Sequence, residues 1–373
     1  MKRIVLIVAM SALLAASPAV HHMKITDADM ESEFPSLAPA GKVLGVAWMD
    51  GRDGNQEVYF RTVDIDANQA GPEARLTNSA DWDDNPDLAW TGSEFGVSYV
   101  HEARSVFRLL FQRLTPDGRP LGPAKTVVTN LQLAKETKIL PTGNGYALIY
   151  TQLRGGDGDL YYQYLDPDGA PQGGAAALTS GPGRKVAGAF LRAESDLTLF
   201  FLDSARDAAF MLRLDALGKP KAPPLLISDP AAKAGLPAAA FDGNYYLAVW
   251  PQASAAGTEA MALLIAKTGG PQGQPYVLSA GAAQRPAVAV AAAGPGFGAA
   301  WFELTDAGRN IKFRRLDPEG KPVEGPWDLY APRPVRIVGN AITMTADATG
   351  FIVARSEIVP PVNTEIVLTK IGF

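Results

Sequence analysis

A short apolar segment recurs seven times along this chain at an interval of about 51 residues. VLGVAW closes at Trp48, EFGVSY at Tyr99, GYALIY at Tyr150, DLTLFF at Phe201, YYLAVW at Trp250, GFGAAW at Trp301 and GFIVAR at Arg355. A turn signal follows each of the middle units: LTPDG ending at Gly118, LDPDG at Gly169, LDALG at Gly218, AKTGG at Gly270 and LDPEG at Gly320, with VDIDAN at Asn68 in its place in the first. A third marker comes next: ARLT ending at Thr77, TVVT at Thr129, AALT at Thr179, LLIS at Ser228 and YVLS at Ser279. Three markers held in phase are the signature of a repeat architecture, in which no unit can bury its apolar face alone.

Each unit reads as four short strands. In the second, Pro86–Trp90 is strand a, Phe95–Val100 strand b, Phe107–Leu114 strand c and Ala124–Thr129 strand d. The runs are rich in aromatic and β-branched residues and are bounded by Gly, Pro and Asp turns. With 37 Gly and 29 Pro in 373 residues, long helices are disfavoured. The alanine-rich stretch 286–300 contains two prolines and three glycines, and it falls in phase as strands a and b. Four strands in about 50 residues is the arithmetic of a propeller blade. The expectation is an all-β, seven-bladed β-propeller. The seventh unit lacks strand d, and Met23–Leu37 matches Ala74–Leu88 at an offset of 51. The N-terminal strand is therefore expected to close the final blade, covering two edges that would otherwise stay open.

Residues 1–19 combine Lys2 and Arg3, an apolar run from Ile4 to Ala16, and small residues at Ser17 and Ala19. This is the pattern of a secretory signal peptide cleaved after Ala19, leaving one propeller domain over 20–373. The apolar run is short for a membrane span, so no stable membrane insertion is expected. The chain has no cysteine, which removes disulfides, thiolate metal sites and lipid attachment at cysteine. Location is expected to be periplasmic or extracellular, as a soluble monomer. Removing Lys2 and Arg3 leaves 32 basic against 39 acidic residues, a net −7, which opposes nucleic-acid binding.

In the first unit, Arg52, Asp53, Gly54, Asn55, Glu57, Val58 and Tyr59, followed by the Leu-Thr of ARLT, resemble the WD-like repeats of Tol-type and other secreted bacterial propellers. The resemblance implies a propeller of an export compartment. It is clear in the first unit; later units differ, with HEARSVFR from His101 and PQASAAGTEA from Pro251.

In such a blade the b–c and d–a loops share one face and the a–b and c–d turns the other. The c–d turns are near-identical hairpins, so variable chemistry sits on the b–c/d–a face. There the b–c loop of blade one carries Asp50, Arg52, Asp53, Asn55 and Glu57, and the d–a loop entering blade two carries Asp81, Trp82, Asp83 and Asp84. Asp27, Asp29, Glu31 and Glu33 precede blade one. These acids could bind a protein or a glycan, or a hard cation such as calcium, although the calcium-loop template is not met. Asp53 and Arg52 also suit a scaffold role, with the Asp accepting turn N–H groups and the Arg bridging to a neighbour. The blade aromatics Trp48, Tyr99, Tyr150, Trp250 and Trp301 are expected to pack between blades.

No HExxH, GxSxG, P-loop or sialidase box occurs. His21 and His22 are expected to be loose at the new N-terminus, and His101 has no evident partner. No cofactor is implied. The residues favour a non-catalytic binding or scaffold protein; the alternative is a propeller hydrolase or lyase acting on polysaccharide through loop carboxylates.

Overall fold

The computed structural model describes residues 18–132, 136–255, 257–279, 287–294, 296–305, 308–330, 342–359 and 363–373. Residues 1–17, most of the expected signal peptide, lie outside them, as do Pro286 and Pro295 of the alanine-rich stretch. Seven antiparallel sheets follow in chain order, and the innermost strands touch one another in a closed ring. Blade one is built from strand a (Ser32–Ala40), b (Val43–Asp50) and c (Glu57–Asp64), with strand d in two pieces, Gln69–Ala70 and Ala74–Arg75. Blade two has a (Trp82–Trp90), b (Phe95–Ala103), c (Val106–Leu114) and d (Lys125–Leu131). The alanine-rich stretch forms strands a (Val288–Ala292) and b (Phe297–Thr305) of blade six. Among the described residues there is no helix, and none long and apolar enough to cross a membrane.

Blade seven consists of Ile342–Asp347, Gly350–Val359 and Asn363–Gly372, and its outer strand is Ala19–Lys24. Met23 pairs with Leu368 and Lys24 with Val367, and the Ile25 N–H donates to the Ile366 carbonyl at 2.9 Å. The closure expected from the 51-residue offset is thus present. His21 and His22 are not loose: they pair with Lys370 and Thr369 within that strand.

The core lies between blades rather than within them. Each of seven buried apolar clusters joins two consecutive blades, the last joining blade seven to blade one. Strand b shows why its sequence is apolar from Val43 to Met49. Leu44, Val46 and Trp48 face blade seven, while Gly45 and Ala47 face blade two, so both faces of the strand are buried. Gly45 is fixed by contact: a Cβ there would stand 2.4 Å from the Phe95 ring. The five expected aromatics Trp48, Tyr99, Tyr150, Trp250 and Trp301 are all buried.

The other two markers are also inter-strand devices. Gly118 has φ +87°, and a Cβ would fall 2.5 Å from the Phe60 ring of the preceding blade, so the turn excludes every side chain on two counts. The Thr or Ser of the third marker, and Thr26 in blade seven, accepts an N–H from the first four residues of strand c. The pairs are Val58 to Thr77 (2.9 Å), Leu160 to Thr179 (2.9 Å), Ala209 to Ser228 (2.9 Å), Ala260 to Ser279 (2.8 Å) and Ile366 to Thr26 (2.8 Å).

Strand a of blade two starts four residues earlier than Pro86 suggests. A bulge between Asp84 and Asp87, with Asn85 at φ 49°, sets Pro86 outside the ladder and lets Asp83 pair with His101. Blade one repeats the device at Phe34–Pro35, with Phe34 at φ 53°. A proline that cannot donate is tolerated at such a bulge.

Candidate functional site

The b–c loop of blade one, Gly51 to Gln56, is clamped between the d–a segments entering blades one and two. Gly51 N–H donates to the Glu31 carbonyl at 2.8 Å, and the Asp83 N–H donates to the Gln56 carbonyl at 2.8 Å. These bonds confirm that b–c and d–a loops share a face.

Asp50 is fully buried and anchors the near side. It accepts from Ser32 Oγ (2.9 Å), Trp48 Nε1 (2.9 Å), the Arg52 N–H (3.1 Å), Arg52 Nε (2.8 Å) and Arg52 Nη2 (2.6 Å). Burial would raise its carboxyl, but the Arg52 and Trp48 donors outweigh burial and hold it below the usual range. Arg52 bridges on to Glu73 at 2.7 Å and covers the Tyr59 ring, 4.7 Å from its centroid. The bridging role expected of Arg52 is therefore seen. The carboxylate that accepts the turn N–H is Asp50 rather than Asp53, because Asp50 ends strand b with its side chain under the loop. Asp53 instead accepts from the Tyr59 hydroxyl (2.5 Å) and pairs with Arg75 (3.2 Å).

Glu57 is also fully buried. It accepts from the Thr77 hydroxyl, the Ser79 N–H (3.0 Å), Arg75 Nη2 (3.1 Å) and Asn55 Nδ2 (3.0 Å). Asn55 also donates to the carbonyls of Ser79 (3.2 Å) and Asp81 (2.5 Å). Glu365 takes the same place behind Thr26 in blade seven, so this carboxylate belongs to the repeat's hydroxyl latch.

Asp83 and Asp84 are each 2% exposed. Asp83 accepts from Ser79 Oγ at 2.9 Å and meets His101 Nδ1 at 3.0 Å; burial pushes its carboxyl up. His101 thus has the partner that the sequence concealed, since the bulge sets the register joining them. Its Nε2 lies 3.9 Å from Asp81, whose side chain is 42% exposed. Trp82, by contrast, is 50% exposed. Among the described residues, no group of three or more His, Asp or Glu is arranged to hold a metal ion.

Sequence reasoning named none of the residues that line the axial channel. A cavity of about 870 Å³ occupies the ring centre, lined by the upper halves of the a strands and by Asp207, Ala253 and Thr258 near the b–c loops of blades four and five. Its mouth is therefore on the b–c/d–a face. One wall is polar, with Asn85, Asp87, Glu136 and Lys138; Asp87 pairs with Lys138 at 3.4 Å and accepts the Ile139 N–H at 2.7 Å. The opposite wall is largely apolar, with Ala187, Leu236, Ala239 and Val288. Phe34 and Leu236 are 38% and 43% exposed. The available signal was the pair of residues before Pro35 and Pro86, repeated at an offset of 51.

Comparison with known proteins agrees with this architecture. No protein-family model matches the chain, and no curated protein matches it. Among solved structures it is similar to a protein of unknown function from Dyadobacter fermentans (TM-score 0.57, 11% identity, covering 95% of this chain and 100% of that one). It is also similar to the polysaccharide lyase Uly1 (TM-score 0.54, 8% identity, 96% and 99% covered). An acylaminoacyl peptidase of Pyrococcus horikoshii matches over 91% of this chain and 52% of its own (TM-score 0.52, 8% identity). At these identities the likeness is one of fold. The chain is a seven-bladed β-propeller with four-stranded blades.

Proposed function

We propose that this chain is an exported, non-catalytic binding propeller that engages a protein or glycan at the channel mouth on its b–c/d–a face. The observation that carries this reading is the open 870 Å³ cavity with exposed apolar side chains at its rim, beside carboxylates already committed to holding the loops. A rigid ring presenting preformed loops loses little entropy on binding. Asp81 and Trp82 are the contact residues of the nine site candidates; Asp50, Arg52, Asp53, Asn55, Glu57, Asp83 and Asp84 form the frame. Export rests on the signal-peptide pattern of residues 1–19, and cleavage after Ala19 would leave the closing strand from Val20 to Lys24 intact.

A screen of the mature protein against glycans and envelope proteins, with and without calcium, tests this. Saturable binding without turnover, weakened by Phe34→Ala or Trp82→Ala, is expected. Binding indifferent to both changes would move the site elsewhere. Mass spectrometry should find the mature N-terminus at Val20, and intact Met1 in the cytoplasm would reject export. The alternative, a polysaccharide hydrolase or lyase, is favoured by one feature: the buried Asp83 orients His101 as such a carboxylate orients a general base. Polysaccharide turnover abolished by His101→Ala would establish it over the binding reading.

A further inference from the structure

Resting on that binding reading, we infer that the occupant of this face is a basic, amphipathic segment of another protein. Met30 is 51% exposed and Trp82 50%. The Met30 Cβ lies 3.8 Å from where a Cβ on Gly51 would stand, and Trp82 follows Asp81, whose carbonyl Asn55 holds. The two side chains therefore flank one b–c loop, Gly51 to Gln56. Phe34 stands inward of them on the cavity wall, in a left-handed backbone conformation unusual for a bulky residue. These apolar anchors belong to neighbouring blades on a rigid frame, and Phe34 is the one that reaches the cavity lining.

Charge complementarity selects the partner. Carboxylates interleave with the anchors in sequence: Asp29, Met30, Glu31, then Glu33, Phe34. None of these three acids makes an ion pair among the described residues, and burial, with Glu31 adding to it, raises the Glu33 carboxyl. The nearby cations are already taken: Arg52 by Asp50 and Glu73, Arg61 by Glu73, and Arg75 by Asp53 and Glu57. Two exposed cations, Arg104 and Arg108, lie on the same face at the b–c hairpin of blade two, with Arg108 opposite His101 in the ladder, so the acidic stretch is confined to Asp29, Glu31 and Glu33 beside blade one. A neutral glycan would donate hydroxyls to these carboxylates without neutralising them, and an anionic polymer would be repelled. Lys or Arg alternating with aliphatic or aromatic side chains answers both features at once.

Two synthetic peptides of equal apolar content, one alternating Lys with Leu and Trp and the other Glu with Leu and Trp, test this by fluorescence anisotropy alongside maltohexaose. The Lys peptide should bind, more weakly as salt rises, while the Glu peptide and the sugar should not. Met30→Ala with Trp82→Ala should weaken binding at least tenfold. Asp29→Asn with Glu31→Gln and Glu33→Gln should do the same and flatten the salt dependence. Asp117→Asn with Glu319→Gln, on the opposite face, should change neither. All these side chains are exposed or unpaired, except that Asp117 pairs with Arg119 at the surface, so unchanged melting curves are the accompanying check. Equal binding by every variant, or no binding of the Lys peptide, overturns the inference. Maltohexaose binding lost in Phe34→Ala with the Lys peptide silent also overturns it, while leaving the binding reading intact. Turnover of a glycan lost in His101→Ala would overturn the binding reading itself.

Discussion

Blades one and six place a tryptophan at the same repeat position but provide for its indole N–H differently. In blade one, Trp48 Nε1 donates to Asp50, which also holds Ser32 and Arg52. In blade five, Trp250 donates to Gln252 at 3.1 Å. In blade six, Trp301 is 1% exposed and its Nε1 has no partner among the described residues; Glu303, two residues on, turns to Lys312 at 3.2 Å. The ring of each tryptophan serves the core equally. What differs is whether the residue two places later accepts the indole N–H, and in blade one that acceptor, Asp50, also fastens the b–c loop through Arg52. Blade one is thus the fastened blade, and it adjoins the exposed anchors Met30 and Trp82.

The comparison breaks most visibly at the carboxylates. Asp50→Ala would leave the buried Trp48 and Ser32 donors without their acceptor and the partly buried Arg52 with Glu73 alone. Breaking a buried pair costs about 3–5 kcal/mol, so chemical denaturation should show a loss in that range. Glu303→Ala should cost about 1 kcal/mol or less, because Lys312 keeps Asp328 at 2.5 Å. Equal losses would mean that the two blades are fastened alike.

Acid sharpens the same contrast. Because the folded Asp50 carboxyl lies below its ordinary value of 3.8, its contribution is present above that pH and is lost as pH falls through the lower folded value. Asp50→Asn should therefore lower stability at neutral pH by about 2–3 kcal/mol and approach wild type in the most acidic samples, the difference closing below pH 3.8. A gap constant from pH 7 to pH 2 would remove Asp50 from the acid response.

The hydroxyl latch distinguishes blades on a smaller scale. Thr77→Val strips the buried Val58 N–H of its acceptor and Glu57 of a donor, and should cost about 1–3 kcal/mol. Ser279→Ala removes only the acceptor for the Ala260 N–H, so about 1 kcal/mol is expected. Urea midpoints for the two proteins, compared at equal slope, would show the order; a larger loss in blade five would reverse it.

Much of this was readable in advance because the repeat is written in residues with a steric or hydrogen-bonding role in each blade. Gly118, Gly45 and Thr77 each satisfy a local demand that recurs with the period, so blade number, strand order and the closing strand followed from spacing. The site was less legible. Asp50, Asp53 and Glu57 look alike in sequence, yet strand b buries Asp50, strand c buries Glu57, and the loop leaves Asp53 partly open. Pairing of Asp83 with His101 depends on a bulge that moves the register by a step, and a proline in the sequence suggested a strand end instead. The lining of the axial channel was illegible for a different reason: its walls come from strands scattered around the whole ring.

The finest contrast is the indole bond itself. Trp48→Phe keeps an aromatic ring against blade seven but deletes a donor to Asp50, whereas Trp301→Phe deletes a buried N–H that has no acceptor among the described residues. Both changes lose similar packing, because both rings are buried between blades. The first also loses a hydrogen bond to a charged group, worth about 1.5–3 kcal/mol, and the second removes an unsatisfied donor whose burial costs about 1–3 kcal/mol. Phenylalanine at 301 should therefore be tolerated better than at 48, by at least about 1 kcal/mol. Thermal melts of the two variants decide it. A larger drop at 301 would show that its indole has found an acceptor, and blade six would then be fastened in the same manner as blade one.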